Sequence, residues 1–134
     1  MTRKITRAAA RIKFGEQDTL FLGNLSAKRD WGHARDYVKA MWMMLQHDTP
    51  DDYVVATGRT YSVQSFLNLV FDIAGLNVEQ HVKIDERLFR PHEVPLLLGD
   101  ATKIRETLGW EPEFTLRNLA SDMYFSDWHE VEKE

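Results

Sequence analysis

Cysteine is absent from all 134 residues, so neither a disulfide nor a thiolate metal site can hold this chain together or serve its chemistry. The five histidines, His33, His47, His81, His92 and His129, never fall one helical turn apart, which removes the commonest imidazole pattern for a metal. No apolar run approaches the roughly 20 residues of a membrane-crossing helix. The basic start, Met1-Thr2-Arg3-Lys4-Ile5, has no apolar stretch behind it and does not read as a signal peptide. These absences fit a reduced, cytoplasmic setting without a membrane partner. Two catalytic signatures are missing as well. There is no glycine-rich phosphate loop of the dinucleotide or Walker type, and no serine stands in a nucleophile-elbow context. The adjacent carboxylates Asp51 and Asp52 fall in a turn, where exposure to water accounts for them.

What the chain does have is enough for one domain spanning 1–134, with a hydrophobic fraction of 43% to build its core. The net charge of −4 speaks against a nucleic-acid partner. Charge is nonetheless unevenly placed. Arg3, Lys4, Arg7, Arg11 and Lys13 crowd the first segment, while Asp127, Glu130, Glu132 and Glu134 load the other end. The simplest reading is a solvated basic helix face and a frayed acidic tail. Aromatic residues do not interleave with the basic ones, so the first segment does not look like a nucleic-acid surface.

Periodicity and turn chemistry give a sequence of short elements. Ile5, Ala8, Ala9 and Ile12 share one helical face opposite Arg3, Arg7 and Arg11, and Gly15 is placed to close that helix. Thr19–Gly23 reads as a strand and Asn24–Trp31 as a loop. A helix over Gly32–His47 carries Tyr37, Val38, Met41, Met44 and Leu45 on one arc, which predicts core or subunit-interface packing there. Tyr53–Ala56 reads as a second strand. Ser62 caps a helix whose Val63, Phe66, Leu67, Val70, Phe71 and Ala74 face inward, with Gly75 as its stop. His81–Ile84 alternates as a strand. Arg87–Pro95 is broken by two prolines and cannot be regular helix. Asp100 caps a short helix to Leu108 with Gly109 at its end, and Thr115 caps a last one that groups Leu116, Leu119, Ala120 and Met123.

Two arginines stand out because they lie in irregular segments, where ligand-contacting groups concentrate. Arg29 belongs to Lys28-Arg29-Asp30-Trp31-Gly32-His33, and Arg90 to Phe89-Arg90-Pro91-His92-Glu93. A guanidinium fork suits a phosphate or carboxylate. The residues themselves leave two outcomes open for each: contact with an anionic ligand, or pairing at home, Arg29 with Asp30 or Asp36 and Arg90 with Glu93.

Thr2-Arg3-Lys4-Ile5-Thr6-Arg7, Leu22-Gly23-Asn24, Arg29-Asp30-Trp31-Gly32-His33 and Ala56-Thr57-Gly58 come in an order that resembles the GDP-mannose 4,6-dehydratases. Phe89-Arg90-Pro91-His92-Glu93-Val94, Leu98-Gly99-Asp100 and Leu108-Gly109-Trp110 continue the likeness, which reaches about residue 123. The resemblance implies an α/β (α+β) domain, helix-rich and substrate-binding, from an extended short-chain dehydrogenase/reductase, with the Rossmann domain absent from this chain. Family members remove water from GDP-mannose on the path to GDP-fucose, using NADP to take a hydride from C4 and return it at C6. Their glycine-rich turn, catalytic Thr or Ser, Glu and Tyr-x-x-x-Lys pair have no counterpart here, so this chain is expected to hold no cofactor of its own and to be inactive alone. Its helix starting directly at Met1 reads as a cut through a larger fold. The resemblance places Lys4, Asn24, Arg29, Arg90 and Glu93 nearest the GDP moiety, with both arginines on the pyrophosphate and Glu93 orienting Arg90. The partners it implies are GDP-mannose or GDP, and either self-association or a Rossmann-domain chain. The alternative is a non-catalytic interaction or oligomerisation protein derived from the dehydratase.

Overall fold

The computed structural model describes residues 1–134. Helix α1, Thr2–Lys13, buries Ile5, Thr6, Ala8, Ala9, Ala10 and Ile12 along one side. It ends where the sequence predicts. Gly15 takes φ +76°, its N–H reaches the Ile12 carbonyl at 3.1 Å, and the Glu16 N–H reaches Arg11 at 2.9 Å. Those two bonds satisfy carbonyls that a helix end would otherwise leave open. The chain returns through β1, Leu20–Leu22, and a two-residue β2, Lys28–Arg29, inside the stretch expected to be loop only.

Helix α2, Ala34–Gln46, starts on a histidine cap: the His33 ring accepts the Arg35 N–H at 3.1 Å. The apolar arc, expected to pack in the core or at a subunit interface, divides: Tyr37 and Met44 pack on the inner cluster, and the rest faces out. Val38, Met41, Trp42 and Leu45 are all more than half exposed, and only Asp36 and Ala40 of α2 are buried. Tyr53–Ala56, expected as a strand, has no ladder partner and runs as irregular chain, since no neighbouring strand of this chain lies alongside it.

Helix α3, Val63–Ala74, follows the short strand β3, Tyr61–Ser62, and matches its expectation at both ends. Ser62 accepts the Ser65 N–H, Gly75 is left-handed, and all six inward positions are buried. A single turn α4, Val78–His81, leads into β4, Val82–Ile84, which pairs in parallel with β1 in the register Leu20–Val82 and Leu22–Ile84. β2 and β3 pair antiparallel. Helix α5, Thr102–Leu108, starts one residue later than the expected Asp100 cap allows: its N-cap position is Ala101, with no side-chain cap, and Asp100 instead accepts the Thr102 N–H at 3.0 Å in a turn just before the helix.

Helix α6, Leu116–Val131, begins with a reciprocal Thr115–Asn118 capping box and continues well past Met123. It corrects the frayed acidic tail. Asp127 is buried and bound to Thr6 and Arg3, while Glu130 and Glu134 engage Arg3, Arg7 and Arg11. The two charged ends neutralise each other across α1 and α6.

Helices α1, α3 and α6 pack on one another over β1 and form the main core, with Phe66, Phe71, Ile5, Leu22 and Leu67 at its centre. A smaller cluster of Ala40, Ala56, Ala101, Ile104 and Trp110 joins α2 to α5. The chain is helix-rich with two minimal sheets.

Candidate functional site

Three of the five candidate residues meet at one strap of chain, 89–99: Arg90 and Glu93 lie on it and Arg29 of β2 lies beneath it. At the near end, Gly23 packs so tightly that a Cβ there would stand 2.7 Å from the Leu88 carbonyl oxygen. A 3-10 turn over Glu86–Leu88 leads in, its start fixed by Asp85, which accepts the Arg87 N–H and both guanidinium contacts of Arg87. The Arg87 hydrogen bonds hold the Asp85 carboxyl below the usual carboxylate range. In the middle, the Lys28 N–H donates to Pro95 at 2.8 Å and the Leu97 N–H donates to Lys28 at 3.0 Å, so β2 carries β3 on one edge and the strap on the other.

Arg29 grips this strap. Its Nη1 donates to the Val94 carbonyl at 2.7 Å and to the Lys28 carbonyl at 2.8 Å, and its Nη2 meets Glu93 Oε1 at 3.2 Å. Both side chains are about one-fifth exposed, 22% and 21%, enough to keep a face open to water. Arg29 therefore pairs neither with Asp30 nor with Asp36, and Glu93 orients Arg29 where Arg90 had been the expected partner. Arg90 is exposed and makes no ion pair. Asn24 uses its side-chain oxygen to accept the Ser26 N–H at 2.9 Å, which shapes the turn out of β1. Lys4, on α1, is near enough to Asp85 for its charge to add a little to the lowering of that carboxyl. The structure brings Arg29 and Glu93 into contact, sets Arg90 on the same strap, and leaves Lys4 and Asn24 beside the β1 end.

Two carboxylates expected only as ion-pair partners for Arg29 prove central in another way. Asp30 accepts from the Thr57 and Gly58 N–H groups at 3.0 Å each and from Gly99 N–H at 3.2 Å. Asp36 is buried and receives the Glu113 and Phe114 N–H groups at 3.0 and 3.1 Å. Burial, and then the nearby charges of Asp30 and Asp36, push the Tyr37 phenol above its ordinary value. The only sequence signal was the lone acid after Arg29 and the acid in the first turn of α2.

A groove of about 690 Å³ lies elsewhere, between α1, the start of α2 and α6, and brings His33, Asp122 and Ser126 to one wall. It is not a nucleophilic triad. His33 Nε2 is held by Asp122 at 2.9 Å and Nδ1 is spent on the Arg35 N–H, so neither ring nitrogen can take a serine proton. No group of three or more acids and histidines is arranged to hold a metal.

A family model described as GDP-mannose 4,6 dehydratase matches residues 1–123. The chain belongs to the GDP-mannose 4,6-dehydratase family. It is 53% identical to GDP-mannose 4,6 dehydratase 1 of Arabidopsis thaliana over its whole length, covering 37% of that protein. Against the human GDP-mannose 4,6 dehydratase it is 41% identical, with 95% of this chain and 39% of the relative covered. The chain thus spans about two-fifths of the length of its curated relatives. Among solved structures, RMD from Pseudomonas aeruginosa complexed with NADPH superposes with a TM-score of 0.86 at 25% identity, over 98% of this chain and 42% of that one. The dTDP-glucose 4,6-dehydratase of Bacillus anthracis, solved with NAD, has a TM-score of 0.76 at 16% identity and shares the fold.

For this family member a dinucleotide cradle is testable on the chain's own residues, and they do not fit one. Phosphates need free N–H groups at a glycine-rich helix start. Here the starts of α2, α3 and α6 each have one first-turn N–H taken by His33, Ser62 or Thr115, α1 and α5 carry no side-chain cap, and no helix start is glycine-rich.

Proposed function

We propose that this chain is the nucleotide-sugar-holding, carboxyl-terminal part of a GDP-mannose 4,6-dehydratase, one domain over 1–134 that grips the GDP portion of GDP-mannose on the path to GDP-deoxy sugars such as GDP-fucose. One observation carries the reading: a part-open guanidinium, Arg29 of β2, grips a strap that bears a second arginine free of any ion pair, Arg90. One cation on the strap and one bound to it suit a pyrophosphate, which accepts from guanidinium forks at full charge. Glu93 bonds Arg29 through Oε1, and its Oε2 is left to accept a ribose hydroxyl. Lys4 and Asn24 lie where the base or ribose would extend. The hydride chemistry and the NADP that supports it fall to residues outside these 134, because none of them forms a Tyr-x-x-x-Lys pair or a glycine-rich turn.

The chain is expected to bind GDP in the millimolar range, about −4 kcal/mol, as suits two charge-assisted contacts open to water. Arg29→Ala and Arg90→Ala should each weaken binding about tenfold, as the loss of roughly 1.5 kcal/mol of charged hydrogen bonding would do. Added salt should weaken it too. Lys133→Ala, at the far end of the chain, should change nothing. An NMR titration decides the matter: absence of GDP-induced shifts around Lys4, Asn24, Arg29, Arg90 and Glu93 defeats the reading.

A second reading, association with another copy of itself or with a Rossmann-domain chain, is favoured by the exposed Val38, Met41, Trp42 and Leu45 of α2. Apolar surface gathered on one helix face seeks cover. Sedimentation of the purified chain tests it, and a strictly monomeric species at high concentration would reject self-association.

A further inference from the structure

Four donors converge on the Asp30 carboxylate from two segments distant in sequence. Thr57 contributes its N–H and its hydroxyl to Oδ1, and Gly58 and Gly99 contribute their N–H groups to Oδ2. A carboxylate can accept on both oxygens in this way; an amide would turn an NH2 toward at least one backbone donor. The joined segments also touch directly. A Cβ on Gly99 would stand 2.2 Å from the Ala56 Cβ, so residue 99 has to be glycine for the strap to lie against residues 56–58.

Arg29 and Asp30 thus act on the same strap with opposite charges. In extended backbone, neighbouring side chains point to opposite faces. Arg29 takes the strap's acceptors at Glu93 and Val94, and Asp30 takes its donor at Gly99. The strap's other end rests on Gly23 through Leu88. Without the Asp30 tie, the segment bearing Glu93 and Arg90 would be anchored at one end and at β2 only.

We propose that Asp30 is the positioning residue of the nucleotide site: it locks Gly99 to the Thr57–Gly58 turn and so sets where the strap holds Glu93 and the Arg29 guanidinium. The affinity consequence rests on the nucleotide-binding reading given above, whereas the mechanical consequence does not. This separates the two tests.

The experiment uses the full chain with Asp30→Asn and, independently, Gly99→Ala, which forces the strap from Ala56 while leaving the carboxylate in place. Amide hydrogen exchange is followed at Lys28 and Leu97, whose bonds join β2 to the strap and do not involve Asp30. Both variants should speed exchange there at least tenfold, leave α1, α3 and α6 protected as in the parent, and weaken GDP binding about tenfold with its salt dependence retained. Parental exchange at Lys28 and Leu97 in either folded variant overturns the proposal. Loss of protection spread evenly through α1, α3 and α6 in Gly99→Ala also overturns it, since Asp30 would then serve general stability. If the parent chain shows no GDP-induced shifts, the nucleotide reading fails and the exchange result alone decides the role of Asp30.

Discussion

Asp36 lies in the first turn of α2 at 2% exposure, where an unpaired carboxylate would be strongly disfavoured. Two backbone N–H groups and the positive end of α2 offset that desolvation. Its own carbonyl accepts the Trp110 indole N–H at 2.9 Å, so one residue docks the whole 110–114 segment. Asp36→Ala should destabilise the chain by about 2–4 kcal/mol, because two inward N–H groups lose their acceptors together. Asp36→Asn, which keeps one acceptor oxygen, should cost less. Urea unfolding measures both, and an alanine variant within 0.5 kcal/mol of the parent, about the scatter of ordinary surface changes, would refute this role. The same residue shows how far the sequence could be read at this scale. Asp30 and Asp36 were visible as acids near Arg29, and proximity suggested ion pairs. Pleated backbone turns Asp30 away from Arg29, and helix geometry turns Asp36 toward residues 113–114.

At the scale of elements, the pairing of α1 with α6 carries a buried contact and an exposed one. Thr6 Oγ1 donates to Asp127 Oδ2 at 2.6 Å between buried partners, beside the Arg3 contact to Oδ1 at 3.2 Å. Thr6→Val keeps the shape and removes the donor, so it should cost about 1–3 kcal/mol by leaving a buried carboxylate oxygen unmet. Arg11→Ala, at the solvated edge, should stay below about 1 kcal/mol. A denaturation series that reversed this order would sink the assignment. The Arg7 hydrogen bond, and then the charges of Arg7 and Arg11, hold the Glu134 carboxyl below its ordinary value. A depressed folded pKa gives a stabilisation present above the unfolded pKa and lost as pH falls through the folded one. The last turn of α6 should therefore fray on acidification, earlier in high salt, and NMR of residues 128–134 should show it. A tail already frayed at neutral pH and low salt would contradict the clasp. Helix stops at Gly15, Gly75 and Gly109 and caps at Ser62 and Thr115 were legible, since each depends on residues only a few positions apart, whereas α5 has Ala101 at its N-cap, with no side-chain cap, where Asp100 was expected. The clasp was not legible, because its partners stand more than 120 residues apart.

For the whole molecule, the decisive feature is that α2 hangs on a small cluster. Ala40 and the partly buried Tyr37, Met43 and Met44 face Ile104 and Trp110, while the opposite arc meets water. Residues Leu88, Phe89, Val94, Leu96, Leu97 and Leu98 are likewise 43–54% exposed along the strap. Two apolar surfaces of this kind argue for association at raised concentration. Trp42→Glu should shift the sedimentation profile toward monomer by placing charge in the contact, with the α1–α3–α6 core unaffected. An unchanged oligomer distribution in that variant would remove α2 from the interface.

The sequence by itself determined five of the helices, the caps at Ser62 and Thr115, the glycine stops, the inward face of α3, the family, and the segments that bear Arg29, Arg90 and Glu93. Those properties are local: they follow from periodicity, from glycine's access to positive φ, and from motifs a few residues long. Tertiary structure alone decided that Glu93 partners Arg29, that Asp30 ties residue 57 to residue 99, that Tyr53–Ala56 lacks a strand partner, and that Val38, Met41 and Leu45 of the α2 arc face outward. Each depends on which distant segment arrives alongside, and hydrophobic patterning records that a face wants cover without recording what covers it.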